Sequence, residues 1–214
     1  QGQTAIALTS SSPKIKNIII IDNISPIVGY DTDVIIKSTI IDNNSGHSVF
    51  EWNSNVQIDS LIMRNNRGGI RFFSYSNSSI INSSFIDNPT SEVIFVTECS
   101  VSLVSCTIAG NGLTDSGHYT LSSNQQIGQL NIAHSIIWNP NTEFEYFIEF
   151  DNNLSISNSI IRNGYGSTNY DLNPLFCNPD SGDYSLAENS PAVGTGQNGS
   201  NMGALGIGCG PINF

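Results

Sequence analysis

An apolar run that ends in asparagine returns along most of the chain. The first copy is Ile18-Ile19-Ile20-Ile21-Asp22-Asn23, and later copies keep a similar order of apolar, polar and amide side chains. The run recurs at intervals of 20 to 28 residues and ends at Asn23, Asn43, Asn65, Asn88, Asn111, Asn139 and Asn163. Recurrence at nearly one period indicates a repeat architecture in which each repeat is one structural unit.

Apolar residues also stand three and seven positions before the anchoring asparagines. Because these offsets share parity, both columns lie on one face of a strand, which we expect to be the interior. The nearer column contains Ile20, Ile40, Ile62, Phe85, Ile108, Ile136 and Ile160. The farther column contains Ile36, Ile58, Ile81, Val104, Ile132 and Ile156. The period of two and the many β-branched residues exclude a helical repeat.

A second apolar run follows most anchors, as in Val49 to Trp52 and Ile70 to Phe73. Each repeat therefore contains two or three short strands separated by turns of Gly, Asn and Ser. Such repeats stack as coils of parallel strands about 4.8 Å apart. The sequence predicts an all-β parallel β-helix of about eight coils, with coils over residues 1–168 and an irregular closing segment over 169–214 on the same solenoid.

The anchoring asparagines have a physical role in such a solenoid. Amide side chains that lie one above another can link donors to acceptors at a bend, and Asn tolerates the left-handed backbone that sharp bends require. We therefore expect the seven anchors to form a ladder. The alternative is that Asn is simply a frequent turn residue.

Charge narrows the choice of partners. The net charge is −11, and the seven Lys and Arg residues form no basic patch. Nucleic acid and anionic surfaces favour basic proteins, so we expect no nucleic-acid partner. No apolar stretch approaches the roughly 20 residues that span a bilayer, so we expect no membrane insertion. A neutral glycan, a cation, copies of the chain itself or another surface protein fit the charge better.

Two parts of the chain resemble known proteins. The stretch from Ala5 to Asn23, with Ser10-Ser11-Ser12-Pro13 ahead of its isoleucines, resembles the coils of pectate-lyase-like right-handed parallel β-helix repeat proteins. The tail motifs resemble the closing segment of secreted bacterial β-helix proteins that carry a C-terminal sorting or anchoring domain. These motifs are Asn173-Pro174-Leu175-Phe176-Cys177, Gly182-Asp183-Tyr184-Ser185-Leu186, Ser190-Pro191-Ala192 and Met202-Gly203-Ala204-Leu205-Gly206.

The resemblance implies a right-handed solenoid in a secreted or cell-surface bacterial protein. Such proteins normally have upstream coils and an N-terminal cap, whereas Gln1 begins in what reads as the last strand of an earlier coil. We expect a fragment, a processed product, or a solenoid whose open coil is covered by something else.

The cysteines fall into two groups. Cys177 and Cys209 flank the closing segment, and in an exported protein a disulfide between them would staple it, the alternative being two free thiols. Cys106 has inward parity, and we expect a small core residue rather than a nucleophile. Its column also holds Ser38, Ser60, Ser83, His134 and Asn158. Pairing of Cys99 with Cys106 stays open, and no spacing matches a zinc site.

Charged and aromatic residues directly precede several anchors. If this column points outward, Asp42, Arg64 and Asp87 alternate in charge, and Trp138 above Arg162 allows a cation–π contact. A solvated ladder of charges is the structural interpretation. Trp138 and Arg162 are the candidate binding residues.

A calcium site is the one cofactor hypothesis. Asp22 and Asp42, with Asp31 and Asp33, supply the hard oxygen ligands that calcium prefers. Their spacing matches no dedicated motif, so the sequence predicts no cofactor, with calcium as the alternative.

No catalytic arrangement stands out. A buried, hydrogen-bonded His134 is expected rather than a base, and His47 and His118 lie in loop-like stretches away from any Ser or Cys elbow. Basic residues that could serve a lyase are Lys14, Lys16, Lys37, Arg64, Arg67 and Arg71. Acids that could serve a hydrolase are Glu51, Glu98, Glu145 and Glu149, and no two of them form a convincing close pair.

The sequence therefore favours an extracellular non-catalytic module for surface structure, adhesion or head-to-tail assembly. Unpaired strand edges at an uncapped coil would favour association of copies. The alternatives are a polysaccharide lyase or glycoside hydrolase fragment, and a glycan-binding module that uses an exposed aromatic such as Trp138.

Overall fold

The computed structural model describes residues 3–90, 92–112, 119–124, 128–148 and 153–213. Over these residues the chain is a parallel β-solenoid, in which successive coils add one strand to each of three sheets. We number the strands β1 to β23 in chain order. No helix long and apolar enough to span a membrane is found in this part of the chain.

The first sheet carries the first strand of each coil. Its strands are β1 (Thr4–Ser11), β4 (Ser25–Lys37), β6 (Ser48–Glu51), β9 (Ile70–Phe73), β12 (Ile94–Thr97), β15 (Tyr119–Asn124) and β18 (Phe144–Ile148). All neighbours pair in parallel, for example Phe50 with Phe72. Their rings stack with centroids 5.9 Å apart, so the second apolar run of each repeat does form strands.

The second sheet is continuous with the first through the long strand β4, whose second half belongs to it. Its other strands are β2 (Lys14–Lys16), β7 (Asn55–Asp59), β10 (Asn77–Ile81), β13 (Ser100–Val104), β16 (Gln129–Ala133) and β19 (Leu154–Ser157). Burial alternates along these strands, as expected for strands with one face on a core.

The third sheet has 7 strands, one from each described coil. They are β3 (Ile19–Ile21), β5 (Ile40–Asp42), β8 (Ile62–Arg64), β11 (Ser84–Ile86), β14 (Thr107–Ala109), β17 (Ile136–Trp138) and β20 (Ile160–Ile161). The prediction of a parallel β-helix is confirmed.

The interior column of the third sheet lies one residue away from the predicted one in four coils. The inward residues, in register from coil to coil, are Ile20, Ile41, Met63, Phe85, Ile108, Ile137 and Ile161. Every one is at most 4% exposed. The prediction that Ile40, Ile62, Ile136 and Ile160 point inward is wrong, because these residues share the outward column.

The second sheet shows the same slip in two coils. Ile36, Ile58, Ile132 and Ile156 are buried in the interior as predicted. Ile80 and Leu103, not Ile81 and Val104, continue their column. A slip of one residue exchanges the two faces of a strand, so Ile81 is 37% exposed.

A continuous asparagine ladder runs through the solenoid just after the third sheet. Its members are Asn23, Asn44, Asn66, Asn88, Asn111 and Asn139. In each step the backbone N–H and the Nδ2 of one asparagine both donate to the Oδ1 of the next, over 2.8–3.2 Å. From Asn44 to Asn139 the residues are at most 1% exposed, so the ladder satisfies polar groups within the core.

Asn43, Asn65 and Asn163 were predicted as ladder members and are not. Each is exposed and has a positive φ, between 53° and 69°. In the second and third repeats two asparagines are adjacent, and the first of them makes the left-handed bend while the second enters the ladder. Asp22, Asp87 and Gly110 make the same bend in other coils, since these residue types tolerate it best.

The ladder ends at an ion pair in the seventh coil. Glu145 accepts from the backbone N–H of Asn139 at 2.8 Å and from its Nδ2 at 2.7 Å. Arg162 Nε lies 2.9 Å from the same carboxylate, which is fully buried. Burial raises the pKa of Glu145, against the hydrogen bonds from Asn139 and Arg162 that lower it.

The closing segment forms a small sheet of its own with 3 strands. It contains β21 (Phe176–Asn178), β22 (Asp183–Ala187) and β23 (Ile207–Cys209), with 3-10 helices at Pro179–Ser181 and Gln197–Gly199. Strands β21 and β22 are antiparallel, and β22 and β23 are parallel. This segment lies on the outer face of the third sheet.

Candidate functional site

The closing segment covers the outward face of the third sheet in the later coils. A second apolar cluster joins Ile136 and Ile160 of the sheet to Phe176, Tyr184 and Leu186 of the segment. The same outward column is uncovered in the early coils, where Ile19 is 65% and Ile62 is 37% exposed. The closing segment therefore packs on a defined part of the third sheet. A cleft lies between the edge of the segment and the coils.

One hydrogen bond joins the edge of the closing segment to the coils. The hydroxyl of Tyr184 donates to Asp87 Oδ1, across 97 residues of sequence. Gly110 lies directly beneath, where a Cβ would collide with the Tyr184 hydroxyl oxygen. Its φ of +67° also favours glycine. Gly110 therefore supplies both the left-handed bend and the space for the contact.

The cleft beside Tyr184 has a volume of about 530 Å³. Its lining combines Trp138 and Pro140 of the sixth coil with Leu175, Phe176 and Pro179 of the closing segment. Its polar groups come from Asp87, Asn141, Asn173 and Asp180. A cleft of this size that combines apolar side chains with a few polar groups is typical of a small-molecule site.

The electrostatics of the cleft are acidic. Burial raises the pKa of Asp87, against the hydrogen bond from Tyr184 that lowers it. Burial, followed by the nearby carboxyl of Asp87, raises the pKa of Tyr184. The described lining contains two carboxyl groups and no lysine or arginine. Anionic ligands are therefore disfavoured.

A second cavity of about 460 Å³ adjoins the cleft, and both are lined by Asp87 and Asp180. Arg64 and Asn65 line its other side, together with Ser181 of the closing segment. Asp42 holds both of these coil residues, accepting from Arg64 Nε at 2.8 Å and from Asn65 Nδ2 at 2.9 Å. Asn65, predicted as a ladder member, thus lies on a groove instead.

A disulfide braces the wall of the cleft. Cys177, which lines the cleft, is bonded to Cys209, with their Cα atoms 5.8 Å apart. The bond ties β21 to β23 and closes a loop with a sequence separation of 32.

Trp138 and Arg162 do not act as the predicted cation–π pair. The guanidinium of Arg162 turns to Glu145 and also donates to the carbonyl oxygen of Thr142. Trp138 is half-buried against the second apolar cluster and lines the cleft. Arg162 is therefore held by the buried Glu145, and of the two only Trp138 lies at the candidate site.

Each of the acids proposed for calcium accepts a hydrogen bond from a neighbouring side chain, and Asp31 and Asp33 line one shallow cavity. Asp22 accepts from Asn43 at 2.6 Å and Asp33 from Asn55 at 2.8 Å. Asp31 accepts from Ser10 at 3.1 Å. Asp42 is held by Arg64. Within the described ranges, no three His, Cys, Asp or Glu side chains come together as a metal site.

The cysteines of the coils are both free thiols and both buried. Burial raises the pKa of Cys106 to about 12 and that of Cys99 to about 11, so neither forms the thiolate that nucleophilic chemistry needs. Cys106 shares a buried column with Thr39, Leu61, Ser83, Ser135 and Ser159. Of the predicted column, Ser38, Ser60, His134 and Asn158 instead lie one position earlier, in left-handed bends.

The basic residues proposed for a lyase are spread over all three sheets, and only Lys16 and Lys37 are register partners on neighbouring strands. Arg64 is on the third sheet, whereas Arg71 is on the first, paired with Glu92 at 3.0 Å and 5.7 Å from the ring centroid of Phe95. Lys37 pairs with Asp59 at 3.1 Å on the second sheet. Lys14 and Lys16 lie on strand β2, and Arg67 follows β8.

The predicted acids and histidines are likewise scattered. Glu145 is buried in the ladder, Glu51 lies on β6 and Glu98 stands at a bend with a φ of 54°. His47 Nδ1 accepts from the backbone N–H of Gly69 at 3.0 Å. His118 and Glu149 fall outside the described residues.

The group at the centre of the cleft was missed. Asp87, Asp180 and Tyr184 are brought together by the packing of the closing segment, whereas the sequence pattern indicated Asp87 only as part of an outward charge column and Tyr184 only as part of a closing-segment motif. The available signal for these cleft residues was the presence of polar side chains in a closing segment that folds back on the solenoid.

The three parallel sheets and their stacked turns define the chain as a parallel β-solenoid of the β-helix class. The profile of the family described as "Right handed beta helix region" matches residues 4–163, and the chain belongs to this family. No curated protein and no solved structure matches it. The family defines the fold, whereas the site has to be interpreted from its own chemistry.

Proposed function

We propose that the chain is a non-catalytic adhesion module that binds a neutral glycan in the cleft between its coils and its closing segment. The observation that carries the proposal is the placement of Trp138. Its indole is half-buried, anchored by the second apolar cluster, and lines a cleft that also presents amide and carboxyl groups.

This combination suits a sugar ring. The flat apolar face of an indole can stack on the C–H face of a pyranose, and anchoring in the cluster limits the loss of side-chain entropy on binding. Asn141, Asn173 and the two carboxyl groups of the cleft can accept hydrogen bonds from hydroxyls, and the amides can also donate.

Charge decides against an acidic polysaccharide. The cleft carries two carboxyl groups within a chain of net charge −11, and a uronate would be repelled by every one of them that is ionised. A neutral glycan meets no such cost.

We place the module outside the cell, on the surface or in the secreted fraction of a bacterium, as the closing-segment motifs imply. The disulfide between Cys177 and Cys209 supports an oxidising compartment. Association of copies head to tail stays a prediction, which sedimentation over a range of concentrations would test.

The test is retention on immobilised neutral polysaccharides, namely cellulose, xylan, mannan and chitin, with polygalacturonate as the charged comparison. We expect binding to at least one neutral polymer and a loss of roughly tenfold or more in Trp138→Ala. The matched control is Trp52→Ala, because Trp52 is 62% exposed on a turn after β6 and lies outside the cleft lining. Equal retention of both variants, or no retention on any neutral polymer, would overturn the proposal.

Glycoside hydrolysis is the second candidate function. One observation favours it, since Asp87, whose pKa burial raises, and Asp180 line the same cleft, and glycosidases use a protonated and an ionised carboxyl group. New reducing ends from any of these polymers, abolished by Asp180→Asn, would replace the binding proposal with an enzymatic one.

A further inference from the structure

Two cavities meet at the edge of the closing segment, and the groups that separate them are polar. Asp87 and Asp180 line both cavities, the first of about 530 Å³ and the second of about 460 Å³. Each volume is within the usual range for a site that holds one small molecule. Together they form one groove with a carboxyl pair near its middle.

Hydrogen bonds fix the Asp87 side chain and the backbone at Asp180, where the two cavities meet. Asp87 accepts from the Tyr184 hydroxyl, and its backbone N–H donates to the carbonyl oxygen of Ala109 at 3.2 Å. Asp180 lies within the 3-10 helix Pro179–Ser181, which Gly182 closes by donating to Pro179 O at 3.0 Å. The carboxyl group of Asp87 can therefore accept hydrogen bonds without first being ordered, and the backbone that carries Asp180 is fixed.

The two halves of the groove differ in chemistry. The larger half offers the indole of Trp138 as a stacking surface. The smaller half offers donors from Arg64 and Asn65, both oriented by Asp42. A ligand that fills both halves needs an apolar face at one end, hydroxyl donors in the middle and oxygen acceptors at the other end.

We infer that the ligand is a linear neutral oligosaccharide that runs across both cavities, past Asp87 and Asp180, rather than a single sugar in the larger cleft. Each sugar unit repeats hydroxyl groups and an apolar ring face, so such a chain meets all three requirements. This inference rests on the proposed function, because it concerns the same site.

The experiment measures affinity by titration calorimetry for oligomers of about two to eight units prepared from glucan, xylan, mannan and chitin. We expect affinity to rise about tenfold or more once the oligomer is long enough to enter the second cavity. Arg64→Gln should lower the affinity of the long oligomers severalfold and leave the shortest unchanged. Trp138→Ala should weaken every length.

Lys37→Gln is the matched control, because Lys37 also forms an exposed ion pair, with Asp59, but on the second sheet. It should change neither short nor long oligomers. Affinity that is the same at every length, or a loss in Arg64→Gln that is equal for all lengths, would overturn the inference and leave glycan binding intact. Absence of binding by every oligomer would overturn the proposed function as well.

Discussion

The carboxylate of Glu145 stands at the point where each preceding coil places an asparagine amide, and it accepts two hydrogen bonds from Asn139. Asn111 makes the same two donations to Asn139 itself. Glu145 therefore completes the ladder with a group that only accepts, and Arg162 balances its charge at 2.9 Å.

Glu145→Ala should be among the most destabilising substitutions in the chain. It would leave the donors of Asn139 and the guanidinium of Arg162 without their acceptor inside the core, at a cost of about 3–5 kcal/mol. Urea denaturation would measure this free energy. Glu143→Ala is the control from the same segment, since Glu143 is exposed, and equal midpoints for the two variants would contradict the role of Glu145.

Asn88→Ala tests which asparagines form the ladder. It removes the acceptor of Asn66 and the donor to Asn111, and we expect a loss of about 2–4 kcal/mol in the free energy of unfolding. Asn65→Gly should change stability by less than about 1 kcal/mol, because glycine suits the left-handed backbone there. If both variants lost similar free energy of unfolding, Asn65 rather than Asn66 would be the ladder residue of its coil.

The recurrence of apolar runs was sufficient to predict the coils, because a period of two with β-branched residues has few other solutions. The register within a coil was harder. At Asn43-Asn44 and Asn65-Asn66 either residue can make the bend or enter the ladder, and only the stacking of neighbouring coils selects between them. Ile40 and Ile62 were placed inside for this reason, since the anchor was taken one residue too early.

Gly110→Ala should be costly for a reason that involves Tyr184. The added methyl would meet the tyrosine hydroxyl and would also occupy a left-handed backbone, and we expect a loss of about 3 kcal/mol. In a Tyr184→Phe background the loss should be smaller, as a thermal or urea double-mutant cycle would show.

Gly199→Ala provides the control for backbone conformation alone. Its φ is +77°, and nothing lies within 4 Å of the position of the added Cβ. We expect a loss of about 1 kcal/mol there. If Gly110→Ala cost no more than Gly199→Ala, the close contact with Tyr184 would not be the cause.

Replacing both Cys177 and Cys209 by serine should loosen the closing segment selectively. For a sequence separation of 32, the loop-closure relation gives about 3–4 kcal/mol. Hydrogen exchange should quicken in β21 to β23 while the third sheet of the early coils keeps its protection. Unchanged exchange in the closing segment would show that the apolar cluster alone holds it.

His47 should make stability depend on pH. Burial, and then the nearby charge of Arg71, lowers its pKa below the usual 6.5, and its neutral Nδ1 accepts from Gly69. As pH falls below about 6.5 the unfolded chain binds a proton that the folded chain does not, so the free energy of unfolding falls until the folded pKa is reached.

The measurement for His47 is the difference in free energy of unfolding between the wild type and His47→Gln from about pH 8 to pH 5. Glutamine does not titrate, so the other ionisable groups cancel. A difference that stays constant, or that grows in favour of the wild type as pH falls, would contradict the assignment.

The cleft could be predicted only in part. Trp138 was identifiable as an aromatic on an outward column, but its partners depend on where the closing segment lies. Asp87 and Tyr184 are 97 residues apart, and no period relates an irregular segment to the coils beneath it. Arg162 was misassigned because its partner Glu145 lies 17 residues earlier, on another strand of the same coil.

The hydrogen bonds between successive asparagines all run the same way, from each coil toward the one that follows. We therefore expect that a whole coil between Asn23 and Asn66 could be duplicated or deleted without altering the end of the ladder or the apolar cluster that holds the closing segment, provided that each coil brings its own amide. The unit of insertion is then a full turn, with a spacing of 22 residues between Asn44 and Asn66, and shorter insertions must bulge outward. The number of coils can therefore vary in such a solenoid, whereas the Glu145–Arg162 pair that ends the ladder has to be kept.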